Sequence, residues 1–94
     1  MSTKKNLIIH VTDSSQTKRN ELRSKLHMNG DFKRTYDGWE STVDSGVNKS
    51  TRFYYYGIEH PKLVGMLKLL HRVGQSHEYK IRINPSSSGN HAFD

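Results

Sequence analysis

The apolar positions of this chain fall into short runs whose period changes from two to between three and four, and back again. Leu7-Ile8-Ile9-His10-Val11-Thr12 is a β-branched run closed by Asp13-Ser14-Ser15, which predicts a buried or half-buried strand feeding a helix cap. From Gln16 to about Met28 the residues favour helix, Leu22 and Leu26 lie four apart on one face, and Gly30 is placed to end the element. Phe32 to Tyr36 and Trp39 to Val43 are β-prone segments joined by Asp37-Gly38, a dipeptide suited to a type I′ turn because both central residues need positive φ. After Asp44-Ser45-Gly46 and a polar stretch comes Arg52-Phe53-Tyr54-Tyr55-Tyr56-Gly57-Ile58, an aromatic strand expected at the centre of a sheet. Glu59-His60-Pro61 then opens a helix that carries Leu63, Val64, Met66, Leu67, Leu69, Leu70 and Val73 as far as Gly74, the most hydrophobic helix of the chain. Finally Tyr79, Ile81 and Ile83 alternate with Glu78, Lys80, Arg82 and Asn84, the two-residue period of a strand.

Strand, helix, hairpin or strand, strand, helix, strand is the order of an α+β, ferredoxin-like (split βαβ) domain, with two helices on one face of an antiparallel sheet. The segment 32–43 is either part of that sheet or an extra β-hairpin standing beside it. At 94 residues one domain is expected, over 1–84, with 85–94 (PSSSGNHAFD) as a flexible tail too poor in apolar residues to order itself. Leu, Ile, Val and Phe make 20 of the 94 residues, enough for a thin core. No apolar run reaches the roughly 20 residues of a membrane span, and the first residues lack a signal-peptide layout, so no membrane is expected. With no cysteine there is no disulfide, no thiolate zinc site and no thiol nucleophile, which suits a cytoplasmic location.

Fifteen Lys and Arg against nine Asp and Glu give a net charge of +6, which favours polyanionic partners. The charge is uneven: +4 over residues 1–30, −1 over 31–60 and +3 over 61–94. If Leu7, Ile9, Val11, Phe53, Tyr55, Tyr79, Ile81 and Ile83 face the helices, the opposite sheet face carries Ile8, His10, Thr12, Arg52, Tyr54, Tyr56, Lys80 and Arg82. Rings on an open sheet stack bases while neighbouring Lys and Arg hold phosphates, which is the chemistry of single-stranded nucleic-acid binding. The plainer alternative is that these tyrosines are ordinary strand residues or cover a dimer contact, and that Lys80 and Arg82 keep an edge strand soluble. A second basic group, Lys18, Arg19, Arg23 and Lys25, straddles the narrow apolar seam of the first helix. Its side chains either snorkel to solvent on both sides of the seam or reach phosphates or acidic residues of a partner.

Arg52-Phe53-Tyr54-Tyr55-Tyr56-Gly57 resembles in part the aromatic strand of the RNA recognition motif, with its leading base and two aromatics two apart. Phe53 and Tyr55 stand where that pattern has small residues, and the first strand offers Ile8 or His10 where it has an aromatic. Asp13, at the end of a strand and followed by Lys18-Arg19, resembles the layout of the small nuclease subunits of CRISPR spacer acquisition. That resemblance implies a metal-holding aspartate at a dimer axis, whereas the ordinary role of such a residue is a turn or cap. His10-Val11-Thr12 resembles one half of the paired signature of the two-histidine phosphoesterases, of which this chain has a single copy. The six histidines show no zinc-ligand spacing, so no metal and no cofactor are expected.

The sequence therefore predicts a small, basic, non-catalytic nucleic-acid-binding protein that uses Arg52, Tyr54, Tyr56, Lys80, Arg82 and His10, supplemented by Lys18, Arg19, Arg23 and Lys25. Single strands are the preferred ligand. The alternatives are an interaction protein or inhibitor that binds an acidic protein surface, and a metal-dependent nuclease dimer centred on Asp13; a homodimer is compatible with each.

Overall fold

The computed structural model describes residues 4–13, 15–45 and 48–85. Seven elements follow in order: β1 (Lys4–Val11), α1 (Gln16–Leu26), α2 (Gly30–Thr35), β2 (Tyr36–Ser45), β3 (Asn48–Glu59), α3 (His60–Val73) and β4 (Tyr79–Pro85). The strands form one open sheet in the order β2-β3-β1-β4, and each neighbouring pair is antiparallel. The chain is thus α+β, with a four-stranded antiparallel sheet and three helices. The aromatic strand β3 is central, as its composition predicts.

β1 is interior to the sheet and buried on both faces: Leu7, Ile9 and Val11 lie on the helix side, Ile8 on the other. α1 starts at Ser15, whose hydroxyl accepts from the Lys18 N–H at 3.3 Å, and it buries Leu22 and Leu26. α3 enters through Glu59 and Pro61 and supplies Leu63, Met66 and Leu70 to the same core, closing at Gly74, whose N–H donates to the Leu70 carbonyl at 2.8 Å.

The segment 30–43 departs from expectation. Gly30 does not end the first helix. The chain leaves α1 at His27, and Asn29 caps a new helix by accepting from the N–H groups of Asp31 (2.8 Å) and Phe32 (3.3 Å). Asp31 in the first turn and Lys33 and Arg34 in the last complement the helix dipole, so local capping overrides the β propensity of Phe32. Phe32 is fully buried, edge-on to the Tyr55 ring at 5.3 Å between centroids. Asp37-Gly38 is likewise not a hairpin turn. β2 runs straight through it, and Gly38, at φ 86°, sits in a bulge where the register steps from Tyr36 opposite Tyr55 to Glu40 opposite Phe53. β2 pairs with β3 from Ser45 opposite Asn48 to Tyr36 opposite Tyr55, so the described residues of 32–43 belong to α2 and the main sheet and form no separate hairpin arm.

A second bulge, in β3, sets the core. Gly57, at φ 60°, adds one residue opposite β1, and its N–H donates to the buried Asn6 Oδ1 at 3.1 Å. The extra residue turns Ile58 to the helix side instead of the open side, so that Phe53, Tyr55 and Ile58 all join the core. On β4 the register sets Ile81 and Ile83 beside Ile9 and Leu7, on the helix side as predicted. They are nevertheless 45% and 40% exposed, because β4 is an edge that the helices do not cover. The tail expected from 85 onward lies outside the described residues except for Pro85, which ends β4.

Candidate nucleic-acid interface

Three strands bring the predicted sheet-face residues into a grid. β1 places Ile8 opposite Tyr54 of β3 and Arg82 of β4, and places His10 opposite Arg52 and Lys80. The resulting rows, Arg82–Ile8–Tyr54 and Lys80–His10–Arg52, lie about 6.7 Å apart along the strands, and adjacent columns lie about 4.8 Å apart. These six residues line a cavity of about 250 Å³, which Ile81, the helix-side residue between Lys80 and Arg82, borders at the edge strand. Its upper rim is cationic and its floor apolar. Ile8 and Tyr54 are only 5% and 4% exposed, and the half-buried Tyr56 packs against them. Tyr54 is therefore a floor residue with little ring face open for stacking, and Tyr56 offers the larger aromatic surface of the two. Thr12 lies just past this grid; its hydroxyl donates to the Glu78 carbonyl at 3.2 Å.

His10 occupies the middle of the basic row. Burial is the main cause that pushes its pKa below the ordinary 6.5, and the flanking charges of Arg52 and Lys80 act in the same direction. At neutral pH the imidazole is therefore uncharged between two fixed cations. An anion laid across the row is attracted by Arg52, Lys80 and Arg82 and removes the electrostatic reason for His10 to stay neutral.

The first-helix bases do not join this site. α1 packs on the opposite face of the sheet, and two of its four cations are used internally. Arg19 is buried, donating to the Asp13 backbone carbonyl and to Gln16 Oε1 at 2.7 Å. Arg23 donates through Nη1 to both oxygens of Glu40 at 2.7 Å and through Nη2 to Asn20 Oδ1 at 3.0 Å. These heads turn inward because acceptors lie there, for Arg19 at the junction of β1 and α1 and for Arg23 on β2, where snorkelling predicts solvent contact. Lys18 and Lys25 are exposed, and Lys25 pairs with Glu21 at 2.8 Å.

The Arg23–Glu40 pair belongs to a polar network that the sequence does not advertise. Tyr36 donates its hydroxyl to Glu40 Oε2, and His27 Nε2 meets the Tyr55 hydroxyl at 2.8 Å. The His27 ring stands edge-on to Tyr36 at 4.4 Å and to Tyr55 at 5.7 Å. Burial, then the Arg23 charge, lowers the His27 pKa; burial raises those of Tyr36 and Tyr55, so all three are neutral near pH 7. The network pins β2 to α1: strand alternation puts Glu40 on the same face as Tyr36, and the register shift at Gly38 sets it opposite Phe53. Its Arg23–Glu40 and His27–Tyr55 contacts span 17 and 28 residues of sequence, beyond the reach of any local pattern.

Asp13 lies in the turn just beyond the end of β1 at Val11. Its Oδ1 accepts from the Glu78 N–H at 3.3 Å, which ties the segment before β4 to the end of β1, while Oδ2 is buried with no hydrogen-bond partner among the described residues. Among the described residues no group of three or more His, Asp or Glu side chains is placed to hold a metal ion. Nor is any helix long and apolar enough to cross a membrane. Comparison with protein-family models and with curated proteins finds no match to this chain.

Proposed function

We propose that the chain is a ferredoxin-like, non-catalytic nucleic-acid-binding domain that holds a single strand by its phosphates across the open sheet face. The strand order supports the fold assignment: β3 lies between β1 and β2, β1 lies between β3 and β4, and the helix-bearing connections all cross one face. The observation that carries the functional reading is the row Lys80–His10–Arg52, with Arg82 beside it, around one cavity with an apolar floor. Cations spaced at strand intervals suit a repeating polyanion, and the floor of Ile8 and Tyr54, with Tyr56 alongside, suits the flat apolar surface of a base or sugar. Phosphate attraction is the principal contribution in this reading, and stacking falls to Tyr56.

The test is fluorescence anisotropy with labelled single-stranded RNA, single-stranded DNA and duplex DNA, using the intact protein and Arg52→Ala with Lys80→Ala. Single-strand binding that weakens with salt and is lost in the double variant supports the proposal. Equal affinity of the variant and the parent refutes it. Tyr54→Phe, which keeps the buried ring, serves as the control for packing, and Tyr56→Ala reports on stacking.

A further inference from the structure

A different surface lies along the outer edge of the sheet. β4 is seven residues long, and among the described residues no strand pairs with its other side, so alternate backbone N–H and C=O groups point outward there. Ile81 and Ile83 occupy helix-side positions in register with the fully buried Ile9 and Leu7, yet stand 45% and 40% exposed. Single exposed apolar residues are ordinary on a protein surface. Two of them spaced to one side of an unpaired edge strand, with Lys80 and Arg82 between and beside them on the other side, form a pattern that is apolar on one face and cationic on the other.

Charge decides what such an edge accepts. If two copies of β4 paired antiparallel about Ile81, Lys80 would face Arg82 of the second copy, and the reverse; paired about Arg82, the two arginines would face each other. Like charges directly opposite destabilise a strand pair, so Lys80 and Arg82 work against self-pairing. The same two side chains favour a strand that brings carboxylates opposite them. We infer that β4 is an addition edge for an extended segment of a partner protein in which apolar residues alternate with Asp or Glu. The incoming apolar side chains extend the cover over Ile81 and Ile83, the acidic ones meet Lys80 and Arg82 on the open face, and the backbone continues the ladder as a fifth strand. This inference rests on the free edge, the exposed isoleucines and the two cations Lys80 and Arg82, which the proposed nucleic-acid site shares, so its test is read with no nucleic acid present.

The probe is a fluorescein-labelled peptide the length of β4 that alternates Glu and Val. Its controls are the Lys/Val counterpart and the Glu/Val peptide with proline at its central position. Saturable binding of the Glu/Val peptide is expected, with affinity reduced at least about tenfold by replacing Glu with Lys and by the central proline, which removes a ladder donor. Ile81→Thr with Ile83→Thr keeps β propensity at exposed positions and is expected to weaken binding by a similar factor, while circular dichroism verifies the fold. Amide exchange should slow at those β4 residues whose N–H points away from β1. Lack of saturation up to millimolar peptide, equal binding of the Glu and Lys peptides, or protection confined to other strands overturns the inference. So does sedimentation showing a dimer that Ile81→Thr with Ile83→Thr dissolves, because the occupant would then be a second copy of this chain.

Discussion

Removing one cation from the row Lys80–His10–Arg52 tests the proposed phosphate grip by its salt dependence. Arg52, Lys80 and Arg82 are permanent charges around the cavity, and His10 is neutral at pH 7.5 because burial and its two neighbours depress its pKa. Each phosphate neutralised on a single strand contributes about −0.7 to the slope of log K against log salt, so three contacts predict about −2.1. Between about 50 and 200 mM salt that slope corresponds to roughly an 18-fold loss of affinity. Arg52→Ala leaves two contacts, a slope of about −1.4 and a loss of roughly 7-fold over the same range. Lowering the pH to about 5.5 lets a bound phosphate draw a proton onto His10, which steepens the parent slope towards about −2.8. His10→Asn should bind with the parent slope at pH 7.5 and show no steepening at the lower pH. The assay is anisotropy of a labelled oligonucleotide titrated at four salt concentrations and two pH values. Because Arg52, Lys80 and Arg82 are exposed, their alanine variants should fold normally. If all three single variants keep the parent slope, the polyanion is held elsewhere and the proposed grip is wrong.

Other expectations concern the scaffold. His27 and His10 both have folded-state pKa values below 6.5, so below that pH the unfolded chain binds protons that the folded chain does not. Stability is therefore full above about pH 6.5 and falls as the pH drops towards the folded-state values; urea midpoints at pH 7.5 and 5 measure this, and a higher midpoint at pH 5 contradicts it. Glu40→Gln keeps the shape of the side chain but removes the charge that Arg23 grips with two hydrogen bonds, at a cost of about 2 kcal/mol in urea unfolding; a change below about 0.5 would mean the network is idle. Gly57→Ala meets no atom within 4 Å, so its cost of about 1 kcal/mol is the left-handed backbone alone, and Gly57→Asn, which tolerates that region better, should cost less.

Much of the scaffold is legible from the chain because it is local. The two-residue period around Leu7 to Val11 and Tyr79 to Ile83, the aromatic run before Gly57 and the apolar stripe from Leu63 to Leu70 each state their own secondary structure. That parity also places His10, Arg52, Tyr54, Lys80 and Arg82 on one face, since side chains alternate strictly along unbulged strands. Local signals misled where two of them competed. At Gly30 to Phe32 the Asn29 cap outweighed strand propensity, and at Asp37-Gly38 positive φ served a bulge instead of a turn.

The rest was decided in three dimensions. Cross-strand register, fixed by pairing partners distant in sequence, set which bases stand beside His10 and how far Tyr54 sinks into the floor. The bulge at Gly57 chose the side to which Ile58 points, the register shift at Gly38 set Glu40 opposite Phe53, and with Glu40 placed, Arg23 was drawn inward from the surface that its charge suggests. Only the sheet order leaves Ile81 and Ile83 uncovered, because an alternating strand carries the same pattern at an edge as in the middle. Sequence by itself determined the elements and the sign of the charge, through interactions a few residues long; tertiary packing determined which charges remain free to meet a ligand.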